Sequence, residues 1–520
     1  MGFKFSRRQW LTIIVISIAD FCSALCVALQ APFYPQEAGK KGCSAKEYGL
    51  VFGVFELVVF LISPFYGANL NRFGPKLLFN GGILTTGTCA ILFGLLDKVE
   101  GHVPFLALSF VIRIVEAMGN AAFLTASFAI IAKEFPDNVS TMFASLETFF
   151  GVGLIAGPML GGALYGLGGY TLPFAVLGSA LFCAAVMSCL VLPKSHDDED
   201  ISPVGPTMCS LLRVPGVMLA AISIVATSLS IGFLQATLEP HLRSFNFTPL
   251  LLGVMFVING GVYAVSAPAW GWLCDRPSVR PKYVTVVGCA FVGGAFLLIG
   301  PAPFLEMETV LWVTVVGLVL HGFGIGSQLV ASFSDALNTA IASGLPNSIE
   351  TYGLVSGMWT SSFALGAFIG PTVSGLLYDT VGFRTSTLFI FMLHICVMLV
   401  VLLYMWTCDR DSKMDVSVSA GDLLQLDGTL DESVLVGDNY MPPPRTKRYQ
   451  GPGMYILIRI VNFHRRCGIS VEKSRPPAMN SLIACSSYKN RRSPWTQRTP
   501  RYRPTYGSLD NRFRGTVSVK

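Results

Sequence analysis

Residues Gly67-Ala68-Asn69-Leu70-Asn71-Arg72-Phe73-Gly74-Pro75-Lys76 decide the fold, because their frame returns 204 residues later. Gly67-x3-Asn71-Arg72 is matched by Gly271-x3-Asp275-Arg276. At the same shift Gly49 meets Gly253, Phe52 meets Phe256 and Pro64 meets Pro268. Further on, Gly153-x3-Gly157-Pro158 returns as Gly366-x3-Gly370-Pro371 at a shift of 213, which also sets Gly162 on Gly375 and Tyr165 on Tyr378. Two groups of matches at nearly equal shifts mark a duplicated chain.

The duplicated unit is a set of six apolar runs. Runs of about 20 residues, the length a helix needs to cross a bilayer, lie near 10–33, 47–67, 77–97, 104–132, 141–165 and 171–193. Six more lie near 214–238, 250–271, 283–304, 309–334, 350–377 and 384–407. The expected fold is an all-α membrane protein of twelve transmembrane helices in two six-helix pseudo-repeats. Its parts are an N-terminal half (1–193), a central cytoplasmic loop (194–213) with the acidic run His196-Asp197-Asp198-Glu199-Asp200, a C-terminal half (214–408) and a tail (409–520).

Composition agrees with lipid around most of the chain. Of 520 residues 52% are apolar and 13% charged, and mean hydropathy is +0.58; soluble domains hold about 25% charged residues. The net charge of +6 comes mostly from the tail after Cys408 rather than a folded face, so no nucleic-acid partner is expected. The 13 cysteines include no CxxC pair and fall mainly in apolar spans, with Cys43 alone expected to face an oxidising side. They read as small core residues, not as a disulfide or metal framework. No GxxxxGK[ST] loop, Ser/His/Asp set or metal-ligand spacing rises above chance. An enzyme is therefore not expected, nor any cofactor, and a proton gradient made elsewhere would supply the driving force.

Lys4, Arg7 and Arg8 precede the first run and no small-residue cleavage site follows it, so it reads as an uncleaved signal anchor. Lys and Arg in the short loops favour both termini in the cytoplasm. Asn246-Phe247-Thr248 is then a lumenal glycosylation sequon, and Asn138-Val139-Ser140 a silent cytoplasmic one. The tail, acidic from Asp409 to Asp438 and then basic and Pro/Ser-rich, reads as disordered and cytoplasmic. Tyr455-Ile456-Leu457-Ile458 and Tyr506-Gly507-Ser508-Leu509 have the form of sorting signals, which makes sorting adaptors candidate partners.

The loop Gly67–Lys76 resembles the motif between helices 2 and 3 of the major facilitator superfamily, with Asn71 where an acid is usual and Asp275 in the second copy. Arg113-Ile114-Val115-Glu116-Ala117-Met118-Gly119 is similar to that family's embedded-arginine motif. Gly153-Leu154-Ile155-Ala156-Gly157-Pro158-Met159-Leu160-Gly161-Gly162 resembles its antiporter motif, which implies proton exchange. Pro32-Phe33-Tyr34-Pro35-Gln36-Glu37-Ala38, Ser145-Leu146-Glu147-Thr148-Phe149, Gly232-Phe233-Leu234 and Leu238-Glu239-Pro240 look like the vesicular amine transporter family, especially its polyamine branch. Asp20 stands twelve residues before Pro32, about a turn further than in the monoamine members, which weakens a monoamine assignment.

An ionisable side chain deep in a span costs about 2.5–3.5 kcal/mol on insertion scales, so it lines a pathway or finds a partner. Asp20, Glu56, Arg113, Glu116, Glu147, His321 and His394 lie at such depths, with Glu239, Asp335 and Glu350 nearer span ends. Acids outnumber the fixed cation Arg113, so the cavity favours a positive substrate. Each residue keeps a second reading. Asp20 is a ligand or a locally satisfied polar residue, Glu147 a cavity acid or not, and Arg113 with Glu116 a coupling element or a neutral pair. Glu56 faces the pore or another helix, His321 handles protons or packs, His394 is structural, and Glu239 recruits cations at the lumenal mouth or marks the water interface. Tyr34, Phe149, Phe150 and Tyr352 either form an aromatic cage or pack.

The leading expectation is a proton-coupled antiporter moving polyamines or related organic cations into acidic secretory or synaptic vesicles by alternating access. Its competitors are a plasma-membrane multidrug antiporter and, from another class, a non-transporting receptor or adaptor acting through its tail.

Overall fold

In hydrocarbon every backbone N–H and C=O must be satisfied within its own segment, and a continuous helix does this for each apolar run. The computed structural model describes residues 5–191, 206–242, 245, 249–304 and 308–427, all within one compact unit, Met1–Asn439. Its twelve long helices are α1 (Arg7–Lys40), α2 (Ala45–Ala68), α3 (Pro75–Gly94), α4 (His102–Glu134), α5 (Val139–Gly168), α6 (Thr171–Val191), α7 (Pro215–Leu242), α8 (Pro249–Cys274), α9 (Pro281–Ile299), α10 (Leu311–Ala342), α11 (Ile349–Val381) and α12 (Phe383–Asp427). All twelve carry a stretch long and apolar enough to cross a membrane. The run at 196–200, the sequon at Asn246 and both tail motifs lie outside the described residues. α12 itself continues to Asp427, past the expected start of the tail at 409.

The helices outrun their apolar stretches because polar residues cap them. Ser6 accepts from the Gln9 N–H while Gln9 reaches back to the Ser6 N–H, and Ser44 and Glu47 repeat that box at the start of α2. Pro75 and Pro281 open α3 and α9, where a missing N–H costs nothing. The duplication extends to the stops. Gly169 ends α5 at φ 70° and bonds the Tyr165 carbonyl, and Gly382 ends α11 at φ 77° and bonds that of Tyr378. A positive φ suits glycine, so both copies end on one.

Burial sorts the helices into layers. The apolar windows of α1, α4, α7 and α10 are 67, 78, 78 and 72% buried, which makes them the central four. The halves meet through α2 on α11 and α5 on α8. Glycines of the antiporter motif and its copy set the close approaches inside each half: a Cβ on Gly157 would lie 2.8 Å from Ala28 Cβ on α1. One on Gly370 would lie 2.8 Å from the Leu229 carbonyl on α7.

The bundle is closed at one end. The near end carries the start of α1 and both loop motifs; the far end carries the α1–α2 connection. On α2, a Cβ on Gly67 would lie 2.5 Å from the Gly353 carbonyl of α11, one on Gly53 3.5 Å from Phe368, and one on Gly49 would meet nothing within 4 Å. On α8 the series repeats: Gly271 at 2.6 Å from the Ser140 carbonyl, Gly260 at 3.5 Å from Ile155, Gly253 with nothing within 4 Å. Each trio shares a helix face, so the two interfaces splay from the near end to the far end.

Candidate functional site

Packing of α5 on α1 builds the central acid pair. Gly153 lets α5 settle closely on α1: a Cβ there would lie 2.6 Å from Ala24 Cβ and 2.7 Å from the Phe21 carbonyl. Glu147, six residues earlier, thereby comes within electrostatic reach of Asp20. Asp20 is 1% exposed, and neither of its carboxylate oxygens has a hydrogen-bond partner. Glu147 is also buried and accepts a hydrogen bond from the Tyr263 hydroxyl on α8. Thr148, next in sequence, donates to the Ala264 carbonyl of α8 at 2.8 Å. Glu147 thus stands on the seam between the halves. Asp20 belongs to the N-terminal half alone.

A second cluster lies further toward the far end. Arg113 donates to Glu116 at 3.0 Å, and Gln30 of α1 donates to the other Glu116 oxygen at 2.8 Å. The Arg113 guanidinium lies over Phe55 at 4.2 Å and Phe52 at 5.6 Å, both on α2. Glu56 is within its electrostatic reach. Both Glu116 oxygens are occupied, so this pair reads first as a fixed strut across α1, α2 and α4. Breaking such a buried pair generally costs about 3–5 kcal/mol. Between the clusters Ser23 donates to Asn120 at 3.2 Å.

The C-terminal half answers with neutral polar groups. His321 is fully buried, with Asn259 Nδ2 at 2.8 Å from Nδ1 and Ser230 Oγ at 3.1 Å from Nε2. Asn259 Nδ2 also donates to the Leu318 carbonyl at 3.0 Å; turning the amide would set its oxygen against that carbonyl. The amide nitrogen therefore faces His321, Nδ1 accepts, and the proton sits on Nε2 toward Ser230. Here the ring is neutral and ties α7, α8 and α10 together. Asp335 pairs with Lys282 at 2.5 Å. His394 Nδ1 donates to the Ile390 carbonyl at 3.0 Å within its own helix. Glu239 lies half-buried in the last turn of α7 at the far end.

Directly below Glu147, one turn toward the near end, aromatic rings close the path. Phe143 of α5 stacks on Phe333 of α10 at 4.3 Å, and Trp359 of α11 and Phe128 of α4 close edge-on around them. Below the rings, Ser140 and Ser334 bond across the halves at 2.8 Å. Asp275 caps the start of α5, accepting from the N–H groups of Ser140 (3.0 Å) and Thr141 (2.8 Å) and from the Thr141 hydroxyl (2.6 Å). A carboxylate suits the positive end of a helix. In the first copy the charge has changed sides: Asn71 donates to Glu350 at the start of α11 at 3.1 Å. Arg276 stacks over Trp272 at 4.1 Å, and Arg72 is exposed.

Replacing Asp275 by asparagine removes the charge that holds α5 and loosens the near end. In protein lacking Cys183, Cys189, Cys209 and Cys396, which are exposed among the described residues, and also Cys408, Cys467 and Cys485, alkylation of the buried Cys274 is expected to quicken several-fold; an unchanged rate would mean the cap is no latch.

The four aromatics weighed as a cage do not meet. Tyr34 packs among Phe52, Phe93 and Phe105 inside the N-terminal half, whereas Tyr352 bonds Asn347 at the near end and Phe149 is exposed. Tyr263, Asn259 and Gln30 escaped the sequence reading. The signal that could have found Tyr263 and Asn259 is that they are polar groups four residues apart on one face of the mostly apolar α8.

Comparison with known proteins follows the same line. The description of the Major Facilitator Superfamily matches residues 16–349, more than half of the chain. The chain belongs to the major facilitator superfamily. Within that superfamily it is similar to the MFS-type transporter SLC18B1 of Homo sapiens, 38% identical over 381 residues, 73% of this chain and 82% of the relative. It is similar at greater distance to the chromaffin granule amine transporter of Rattus norvegicus, 24% identical and covering 64% of this chain and 61% of that one. In fold it is similar to the crystal structure of the human organic anion transporter MFSD10 (TETRAN), with a TM-score of 0.63 at 19% identity over 76% of this chain and 99% of that chain. It is a multi-pass transporter of the superfamily related to the vesicular amine transporters, and not an enzyme.

Proposed function

We propose that the chain is a proton-coupled antiporter carrying polyamines or related organic cations from the cytosol into acidic secretory vesicles by alternating access. One observation carries the proposal: Asp20, buried without a hydrogen-bond partner, beside Glu147 on the seam between the halves. A buried charge needs a partner, and an ammonium or a proton satisfies a carboxylate equally, but not both together. Of the ionisable groups deep in the N-terminal half, four are acids (Asp20, Glu56, Glu116, Glu147) and one is the cation Arg113. That excess selects cations.

With the Lys/Arg-rich near end in the cytoplasm, the closed aromatic layer corresponds to a lumen-facing state. Protons from an acidic lumen would occupy the acid pair and release the amine. Because Tyr263 reaches Glu147 across the seam, the occupant of Glu147 acts on the α5–α8 interface that must rock. The names borne by the amine-transporting relatives support the substrate class. The two tyrosine motifs would supply vesicle sorting.

The test is reconstitution of the full chain in liposomes held acidic inside, with labelled spermidine outside. Accumulation that a protonophore abolishes and spermine competes is expected. Folded protein that ignores spermidine but takes up only monoamines would overturn the polyamine assignment, and uptake of organic anions instead would overturn cation selection.

A further inference from the structure

At the far end, remote from the acid pair, three side chains of metal-ligating type converge. Cys43 lies in the α1–α2 connection, Glu47 in the first turn of α2, and His102 at the first position of α4. One ligand atom from each, Sγ, a carboxylate oxygen and a ring nitrogen, lies within 4.8 Å of the other two. Glu47 Oε1 and His102 Nε2 are 3.1 Å apart. Two ligands about 2.0–2.1 Å from a tetrahedral zinc ion are about 3.3 Å from each other, so this edge already has the length a shared ion needs.

The donors are held before any ion arrives. The second Glu47 oxygen is fixed by the Ser44 N–H at 2.7 Å and the Ser44 hydroxyl at 2.9 Å, which leaves Oε1 turned to His102. Cys43 is held by its own N–H on the Ala38 carbonyl at 2.9 Å. Outer-shell bonds of this sort orient metal ligands. Two nearby ammonium groups are engaged elsewhere: Lys40 with Glu37 at 2.9 Å, and Lys41 with the Asp97 carbonyl at 2.9 Å. Cys43 is buried while Glu47 and His102 are about one-third exposed, so the cluster is reachable from solvent on one side.

We propose that Cys43, Glu47 and His102 bind one zinc-class divalent cation, with water in the fourth position. Thiolate with imidazole favours the softer end of the divalent series over Mg²⁺ or Ca²⁺. A divalent charge between the Cys43 sulfur and the Glu47 carboxylate would offset the repulsion between two anionic ligands. The ion would tie the α1–α2 connection to the start of α4, pinning three helices of the N-terminal half. Fifty-odd residues separate Cys43 from His102, too far for a spacing motif to reveal.

The test titrates the full-length chain, stripped with chelator in detergent, with Zn²⁺ against a chromogenic indicator, and compares Cys43→Ser and His102→Gln. Glutamine can still donate to Glu47, so the second variant keeps the fold. One tight site per chain is expected, at least tenfold weaker in each variant, and Zn²⁺ should slow maleimide labelling of Cys43 in the parent protein. Equal affinity in the parent and both variants, or no binding by folded parent protein, would overturn the proposal. Its failure leaves transport untouched, since none of the three residues belongs to the acid pair.

Discussion

Replacing Glu147 by glutamine is expected to reduce proton-driven accumulation of amine to the level of empty vesicles, with protein abundance unchanged. Glutamine keeps the shape and still accepts a hydrogen bond from Tyr263, so the seam survives. Lost is the charge that alternately holds an ammonium or a proton. A hydrogen bond to a charged group contributes about 1.5–3 kcal/mol, so cation affinity should fall roughly tenfold to a hundredfold. Coupling should vanish altogether, because an amide carries no exchangeable proton at this position. Asp20→Asn should act in the same direction. Measuring uptake at a fixed gradient beside binding of unlabelled amine separates the two effects. Unchanged uptake in Glu147→Gln vesicles would remove the acid pair from the mechanism.

Gly67→Val should abolish transport by a different route and leave binding intact. A Cβ there would stand 2.5 Å from the Gly353 carbonyl and 3.1 Å from Gly357 Cα. These are backbone atoms of a helix and cannot swing aside, so the near end would be wedged open. Overpacking costs about 1–3 kcal/mol where neighbours can adjust, and here they cannot. Even the lower figure moves a two-state equilibrium by about fivefold. The expected protein binds amine from the near side but completes no cycle, and its Cys274 is alkylated faster than in the parent. Gly49→Ala, about five turns away on the same face, where an added Cβ would meet no atom within 4 Å, is the control and should transport normally. Normal transport by Gly67→Val would mean that the near end need not close this tightly.

Legibility in the sequence followed the range of the physics. Asp20 and Glu147 stood out because an acid in an apolar run is costly whatever surrounds it. That argument needs only neighbours along the chain. Glu116 stood out equally, yet the structure gives both its oxygens to Arg113 and Gln30, and Gln30 lies 86 residues away. His321 beside three glycines invited a proton-handling reading, whereas Asn259, 62 residues distant, fixes it in the neutral form here. Asn71, standing where an acid is usual, supplies no carboxylate latch from its own loop. The first copy is latched as well, by a hydrogen bond to a carboxylate on the other side, Glu350.

The sequence by itself determined the number of helices, their duplication and their lipid surroundings, since apolar run length, repeated glycines and prolines, and a low charge content are properties of a strand of text read locally. It also determined which residues are too costly to be idle. Only the tertiary structure decided which of them share a partner, which face the seam and which end of the bundle is shut. Those outcomes depend on helices from opposite halves meeting face to face, and a helix records in its sequence which face is apolar but not which neighbour will cover it.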